Sequence, residues 1–258
     1  MTMPSQSSPL PPILRLPVEL RDQIYDYLLE LESPGQGSHP LPGVGITSVS
    51  HAPPSLGVLL VNSTIHNELL DRFYSQATLK TIISHAFNFF RTDPDLCQLE
   101  ASFALKRMEK VELVFFQDIL LLKEYPSFGL ELFCAEIRRR ADRACDVLLQ
   151  APNLRHLTVS WIDTTRIGGW SEKVRMLEPL RKLKAKVDIS LGELRVSGSR
   201  DTETKDRQTF KTAIEAALEC TIISSNKHTY VPPEKPNDLR MLAFDIRQQR
   251  MHNQAVAI

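Results

Sequence analysis

Several signatures of chemistry are missing from this 258-residue chain. Its four cysteines, Cys97, Cys134, Cys145 and Cys220, include no C-x-x-C pair, which excludes a compact disulfide or zinc framework and reads as reduced, buried thiols. No uninterrupted apolar run approaches the ~20 residues needed to cross a bilayer, and Val58–Val61 and Ile119–Leu122 are among the longest. The Ser/Pro-rich start, Met1 to Pro12, lacks a basic region followed by an apolar one, so no secretory signal is expected. A cytoplasmic or nuclear location follows as the expectation.

Catalytic patterns are equally sparse. There is no H-E-x-x-H, no G-x-S-x-G and no Walker-type G-x-x-x-x-G-K-[ST]. His66-Asn67-Glu68 has the H-x-E spacing of zinc deaminases, but no P-C-x-x-C completes the ligand set. Gly35-Gln36-Gly37 and Gly43-Val44-Gly45 lack the strand-to-helix setting that aims backbone N–H groups at a phosphate. The expectation is a protein that is not an enzyme and needs neither metal nor cofactor.

Charge is balanced overall, with 31 basic and 31 acidic side chains. The balance conceals an asymmetry: residues 1–130 carry 9 basic against 14 acidic groups, and residues 131–258 carry 22 against 17. One stretch, Ser33 to Asn67, has no Asp, Glu, Lys or Arg at all. Five prolines and four glycines make its first part, 33–55, read as a long loop with a short strand at Ile46–Val49.

Before that loop, Leu20, Ile24, Tyr27, Leu28 and Leu31 recur at helical offsets, with Pro17 in the first turn and acidic residues between them. This predicts an amphipathic helix with the Leu20/Ile24/Tyr27/Leu28 stripe toward the core by default. A second helix is expected from Leu56 to about Tyr74, with Glu68 and Arg72 paired on its outer side.

Beyond it, strands and helices alternate. Thr78–Ile83, Met108–Phe116, Leu154–Trp161 and Lys186–Leu191 read as strands. Ala86–Arg91, Phe128–Gln150, Trp170–Leu177 (broken near Pro179) and a segment around Phe210–Leu218 read as helices. Arg138, Arg139, Arg140 and Arg143 are expected on the outer face of the long helix, and Ser197–Thr204 as a loop. The fold class is α/β, parallel where the crossovers are right-handed. Leu154-x-x-Leu157-x-Val159 is one degenerate leucine-rich-repeat unit. The expected organisation is a tail at 1–12, a helical module at 13–91, an α/β interaction domain at 92–223, and a Pro-rich linker with a last short helix at 224–258. Asn237 is placed to cap that helix, which carries Leu239, Leu242 and Ile246.

The run Leu14-Arg15-Leu16-Pro17-Val18-Glu19-Leu20-Arg21-Asp22-Gln23-Ile24-Tyr25-Asp26-Tyr27-Leu28-Leu29 resembles the opening of the F-box-like domains of filamentous fungi, L-P-x-E-L-R-x-x-I-Y-x-x-L-L. The segment Leu59-Leu60-Val61-Asn62 with Ile65, His66, Glu68 and Phe73-Tyr74-Ser75 matches the companion element. The resemblance implies a docking module followed by a variable interaction domain. It implies a Skp-type adaptor of a cullin–RING ubiquitin ligase as one partner and a protein substrate as the other. By carry-over, Leu16, Pro17, Leu20, Ile24 and Leu28 are the docking residues. Two departures stand out: loop 33–55 is longer than a compact F-box allows, and no Trp follows the second helix.

One competing signal is the segment holding Lys173, Arg175, Arg181, Lys182, Lys184 and Lys186 against Glu178 alone. Such density can neutralise phosphates. The interleaved Leu177, Leu180 and Leu183 favour a solvated helix face over a nucleic-acid surface.

Overall fold

A computed structural model describes residues 11–32, 39–41, 43–84, 93–117, 130–163, 169–196, 200–219 and 223–224. After a 3-10 turn at Pro12–Arg15 come α1 (Val18–Glu32), β1 (Ser48–Val49), α2 (Leu56–Leu59), α3 (Ser63–Gln76) and β2 (Thr78–Ser84). Then follow α4 (Pro94–Ala101), α5 (Ala104–Arg107), β3 (Lys110–Gln117), α6 (Leu130–Leu149) and β4 (His156–Asp163). The chain continues through α7 (Trp170–Val174), a 3-10 helix (Arg175–Leu183), β5 (Asp188–Val196), α8 (Arg200–Leu218) and β6 (Ile223–Ser224). The expected helix at 86–91 and the last helix after Asn237 lie outside the described residues.

The strands form one six-stranded sheet in chain order. β1 is antiparallel to β2, and every later pair is parallel. The expected α/β class with parallel pairing is therefore present. The boundary expected between residues 91 and 92 runs through this sheet, because β2 and β3 pair along their whole length from Thr78↔Lys110 to Ser84↔Phe116.

Strand alternation assigns the faces. Val111, Leu113 and Phe115 of β3 and Leu157, Val159 and Trp161 of β4 point into the main core. That core also takes Ile65, Leu69 and Phe73 of α3, Ile137, Ala141, Cys145 and Leu148 of α6, and Phe210 and Ile214 of α8. Trp161 lies stacked on Phe115 at 5.7 Å between ring centroids, with Phe210 at 5.8 Å and Trp170 at 6.5 Å. A smaller buried cluster of Ile82, Val114, Phe116 and Ile162 occupies the opposite face. The pairing of β4 with β5 shifts between Val159 and Trp161, and Gly192 sits there because a Cβ would run into the side chains of Ser160 and Thr158. The Ser160 hydroxyl accepts the Glu193 amide N–H at 2.9 Å in the same irregularity.

Several sequence expectations need correction. The helix expected over 56–74 is broken at Leu60–Asn62, because the Asn62 side chain caps α3 by accepting the Thr64 amide N–H at 2.7 Å. Glu68 and Arg72 do not pair with each other; each pairs with α1 instead. The helix expected from Trp170 to Leu177 is α-helical only to Val174, and the chain continues as a 3-10 helix with Pro179 buried inside it. α8 starts at Arg200, where a loop was expected. Arg140 is not on an outer face: it is buried against Asp93 and the Ser84 carbonyl.

Candidate functional site

The way α1 sits on α3 decides what the N-terminal module offers to a partner. Arg21 donates from Nε and Nη2 to Glu68 at 2.8 and 2.6 Å, and Tyr25 donates its hydroxyl to the same carboxylate at 2.9 Å. One turn on, Arg72 forks onto Asp26 with two bonds of 2.6 Å, and Gln76 adds a third at 2.5 Å. The residue numbers rise together along both helices, so α1 and α3 run parallel. Tyr25 and Leu29 fill the contact and are fully buried.

These bonds turn the other apolar stripe of α1 outward. Leu20, Ile24 and Tyr27 are 45%, 36% and 64% exposed. The default core placement is therefore reversed for Leu20, Ile24 and Tyr27 and kept for Leu28. α1 is apolar on two sides, and the side bearing the bidentate charge pairs is the one that packs. Of the five expected docking residues, Pro17, Leu20 and Ile24 are exposed, while Leu16 and Leu28 are half-buried. Leu28 packs against the main core.

Sequence reasoning did not include α2 in this site, yet its Leu56 and the following Leu60 and Val61 are well exposed. His66 Nδ1 lies 3.1 Å from the Leu59 carbonyl, tying the end of α2 to the first turn of α3. The N-terminal ends of α1 and α3 thus share one end of the module, with exposed apolar side chains on both contributing segments.

Electrostatics keep the clamp formed at neutral pH. The Arg21 guanidinium lowers the Glu68 carboxyl below its ordinary range, and Arg72 does the same to Asp26. Desolvation, reinforced by Glu68, pushes the Tyr25 phenol up to about 12. For a carboxylate lowered on folding, the stability it contributes is present above its unfolded value and disappears as pH falls through the folded one. Stability is therefore expected to decline below about pH 4.5, and Glu68→Gln with Asp26→Asn should flatten that slope in urea titrations at pH 3–6. An unchanged slope in the double variant would place the acid sensitivity elsewhere.

The basic segment does not form one charged face. Lys173 is buried in an ion pair with Asp163, its ammonium 4.9 Å from the Trp170 ring centroid. Lys186 donates to the Leu148 and Leu149 carbonyls at the end of α6, at 3.3 and 2.6 Å. Lys182 bridges Asp142 and Asp146, both at 2.8 Å, and Arg181 donates to the Ala217 carbonyl near Glu219. Arg175 and Lys184 are the exposed remainder without an ion-pair partner among the described residues. Most of the density visible in the sequence is used to hold elements together.

The same accounting exposes a feature overlooked in the sequence. Asp163, at the C-terminal end of β4, is fully buried, and its register partner Gln117 ends β3 in the same buried layer. Alternation from Leu157 through Val159 and Trp161 puts Asp163 on the core face, so the signal was in the strand pattern. Cys145 lies in the core, where desolvation pushes its thiol up to about 12, as for an inert thiol. Among the described residues no cluster of His, Cys, Asp and Glu could hold a metal ion, and no helix is long and apolar enough to cross a membrane.

The chain was compared with known families and proteins: no family model, no curated protein and no solved structure matches it.

Proposed function

We propose that this chain is a non-catalytic interaction protein of the F-box type: α1 docks a Skp-type adaptor and the α/β region holds a protein substrate for a cullin–RING ubiquitin ligase. The observation that carries the proposal is the outward stripe Leu20/Ile24/Tyr27. Leu20 and Ile24 are defined positions of the motif that resembles the fungal F-box-like opening, Tyr27 lies between its fixed positions, and all three are held outward by charge pairs on the opposite side of α1. A helix that was merely inherited core would bury that stripe. The sequential parallel order β2-β3-β4-β5, with the described helices contributing to one core, also supports a leucine-rich-repeat-like reading of the α/β region. In this role the protein performs no chemistry; it raises the effective concentration of the substrate near the ligase.

The test is binding of the full chain to a purified fungal Skp-type adaptor by calorimetry. Wild-type protein is expected to bind with micromolar or tighter affinity. Leu20→Asp with Ile24→Asp should weaken binding at least about 100-fold, the effect of losing two central apolar anchors of ~1.5 kcal/mol or more each. Circular dichroism of the variant should be unchanged, since both positions face water. No binding by the wild-type chain would reduce α1 to an F-box-derived scaffold element.

A further inference from the structure

We infer that β1 and the backbone at His39 form an acid-released clasp on the outer edge of the sheet. Protonation of His51, beside His39 and Lys110, detaches the clasp from β2 and leaves that strand as an open edge. The inference is independent of the adaptor reading, because no residue of α1 takes part.

The clasp is short. β1 is two residues long, Ser48–Val49. The Thr47 amide donates to the Lys80 carbonyl at 2.8 Å, and the Ser50 amide to the Thr78 carbonyl at 3.1 Å. On the outer side of β1, His39 and Val49 exchange both backbone bonds, at 2.9 and 2.8 Å. The Ser50 hydroxyl oxygen closes the end by accepting the Thr78 amide N–H at 2.8 Å, and it lies 2.8 Å from His51 Nδ1. With its oxygen engaged by Thr78, the hydroxyl has its hydrogen to donate to Nδ1, which a neutral His51 accepts and a protonated one does not.

The surroundings oppose that proton. The groups that act on His51 electrostatically are Lys110, at the start of β3, and His39, both sources of positive charge. Neither Glu109 nor Glu112, the carboxylates flanking Lys110 in the chain, is among them. Glu112 is engaged by Lys80 at 3.3 Å and by the Ser160 hydroxyl at 2.6 Å. His39 Nε2 is buried with no hydrogen-bond partner among the described residues, so a charge shared with that ring finds no acceptor there. Burial, Lys110 and His39 together hold the His51 imidazole below its ordinary value of 6.5. A histidine lowered on folding contributes its full stability above the unfolded value, and the contribution is lost as pH falls through the folded one. That window opens just below pH 6.5, above the range in which the Glu68 and Asp26 pairs with α1 and α3 fail. His66 on α3 lies against the Leu59 carbonyl, and His156 lies beside Asp188, so neither belongs to this edge.

Release uncovers Ile46 and Val49, which are now buried, and opens β2 from Thr78 onward, while β2 stays paired with β3 along its whole length. An open edge is the form in which a sheet accepts a strand from another chain.

The experiment is amide hydrogen exchange of the full chain at about pH 7.5 and about pH 5.5, expressed as protection factors so that the intrinsic pH dependence cancels. A ring that ionises at its ordinary value in the open form favours opening by up to about tenfold at the lower pH. Protection of the Thr47, Ser50 and Thr78 amides should therefore fall about three- to tenfold, with Leu113 and Val159 on the inner strands unchanged. His51→Asn keeps a side-chain acceptor and does not ionise, and it should abolish the fall with an unchanged circular dichroism spectrum. Equal wild-type protection at the two pH values, or the same fall in His51→Asn, would overturn the inference. A second reading needs no variant to fold: NMR titration of the wild-type His51 ring should give a midpoint below 6.5, and a midpoint at or above that value overturns the inference as well.

Discussion

Asp163→Ala is expected to destabilise the protein by about 3–5 kcal/mol, enough to leave a chain of ordinary stability barely folded. The carboxylate is fully buried at the end of β4 and accepts from the Lys173 ammonium, itself 5% exposed. The Lys173 ammonium also lies 4.9 Å from the Trp170 ring centroid, and that ring packs edge-on against Trp161. Removing the carboxylate leaves a buried cation whose remaining partner among the described residues is the face of Trp170, and desolvation is then largely uncompensated. The effect is a property of breaking the pair and does not measure what the pair contributes. Asp163→Leu combined with Lys173→Met should accordingly recover most of the loss, because an apolar pair of similar volume avoids desolvation. Urea unfolding of the two variants reads the difference. If the double variant is as unstable as Asp163→Ala, the site depends on charge for some reason other than neutralising its neighbour.

The Asp163–Lys173 pair also shows where sequence reading succeeded and where it stopped. Lys173 belonged to the densest basic run in the chain, and local counting saw six cations against Glu178. The partners that spend those charges come from elsewhere: Asp163 from β4, Asp142 and Asp146 from α6, and backbone carbonyls of α6 and α8. Composition within a window cannot see charges delivered by the fold. The same limit applied to Arg140, grouped with its neighbours as surface although Asp93 reaches it across 47 residues.

Elements with apolar periodicity were legible to within a few residues. The long helix expected over 128–150 is observed from Leu130 to Leu149, and the strand expected over 78–83 from Thr78 to Ser84. The missed elements lacked that cue. The first two turns of α8, Arg200 to Arg207, contain no apolar residue, so a periodicity reading has nothing to follow there. α4 left a different trace. Asp93 accepts from the Asp95 and Leu96 amides, and Pro94 occupies the first helical position, a cap-and-proline signature that was present and unread. For the candidate site, the identity of the stripe on α1 was legible and its direction was not. A helix apolar on two sides has two possible cores, and Glu68 and Asp26 had first to meet Arg21 and Arg72 across 47 and 46 residues.

That direction makes adjacent residues behave in opposite ways. Tyr25→Ala is expected to cost about 3–5 kcal/mol, the usual penalty for emptying a fully buried aromatic site. It also withdraws the hydroxyl donor from Glu68. Ile24→Ala, one residue earlier, should change stability by no more than about 1 kcal/mol, because its side chain already meets water over 36% of its surface. Leu29→Ala, fully buried four residues beyond Tyr25, should follow Tyr25 with a loss of about 2–5 kcal/mol. Tyr27→Ala, at 64% exposure, should follow Ile24. Denaturant midpoints at constant m-value separate the two classes without any binding partner. Should Ile24→Ala prove as damaging as Tyr25→Ala, the stripe is packed rather than presented. The docking proposal would then lose its surface. If the classes separate as expected, α1 spends one apolar side on α3 and keeps the other for a contact that α3 does not provide. With most of the basic segment 173–186 already paired, that apolar side is, among the described residues, a surface whose chemistry calls for a partner.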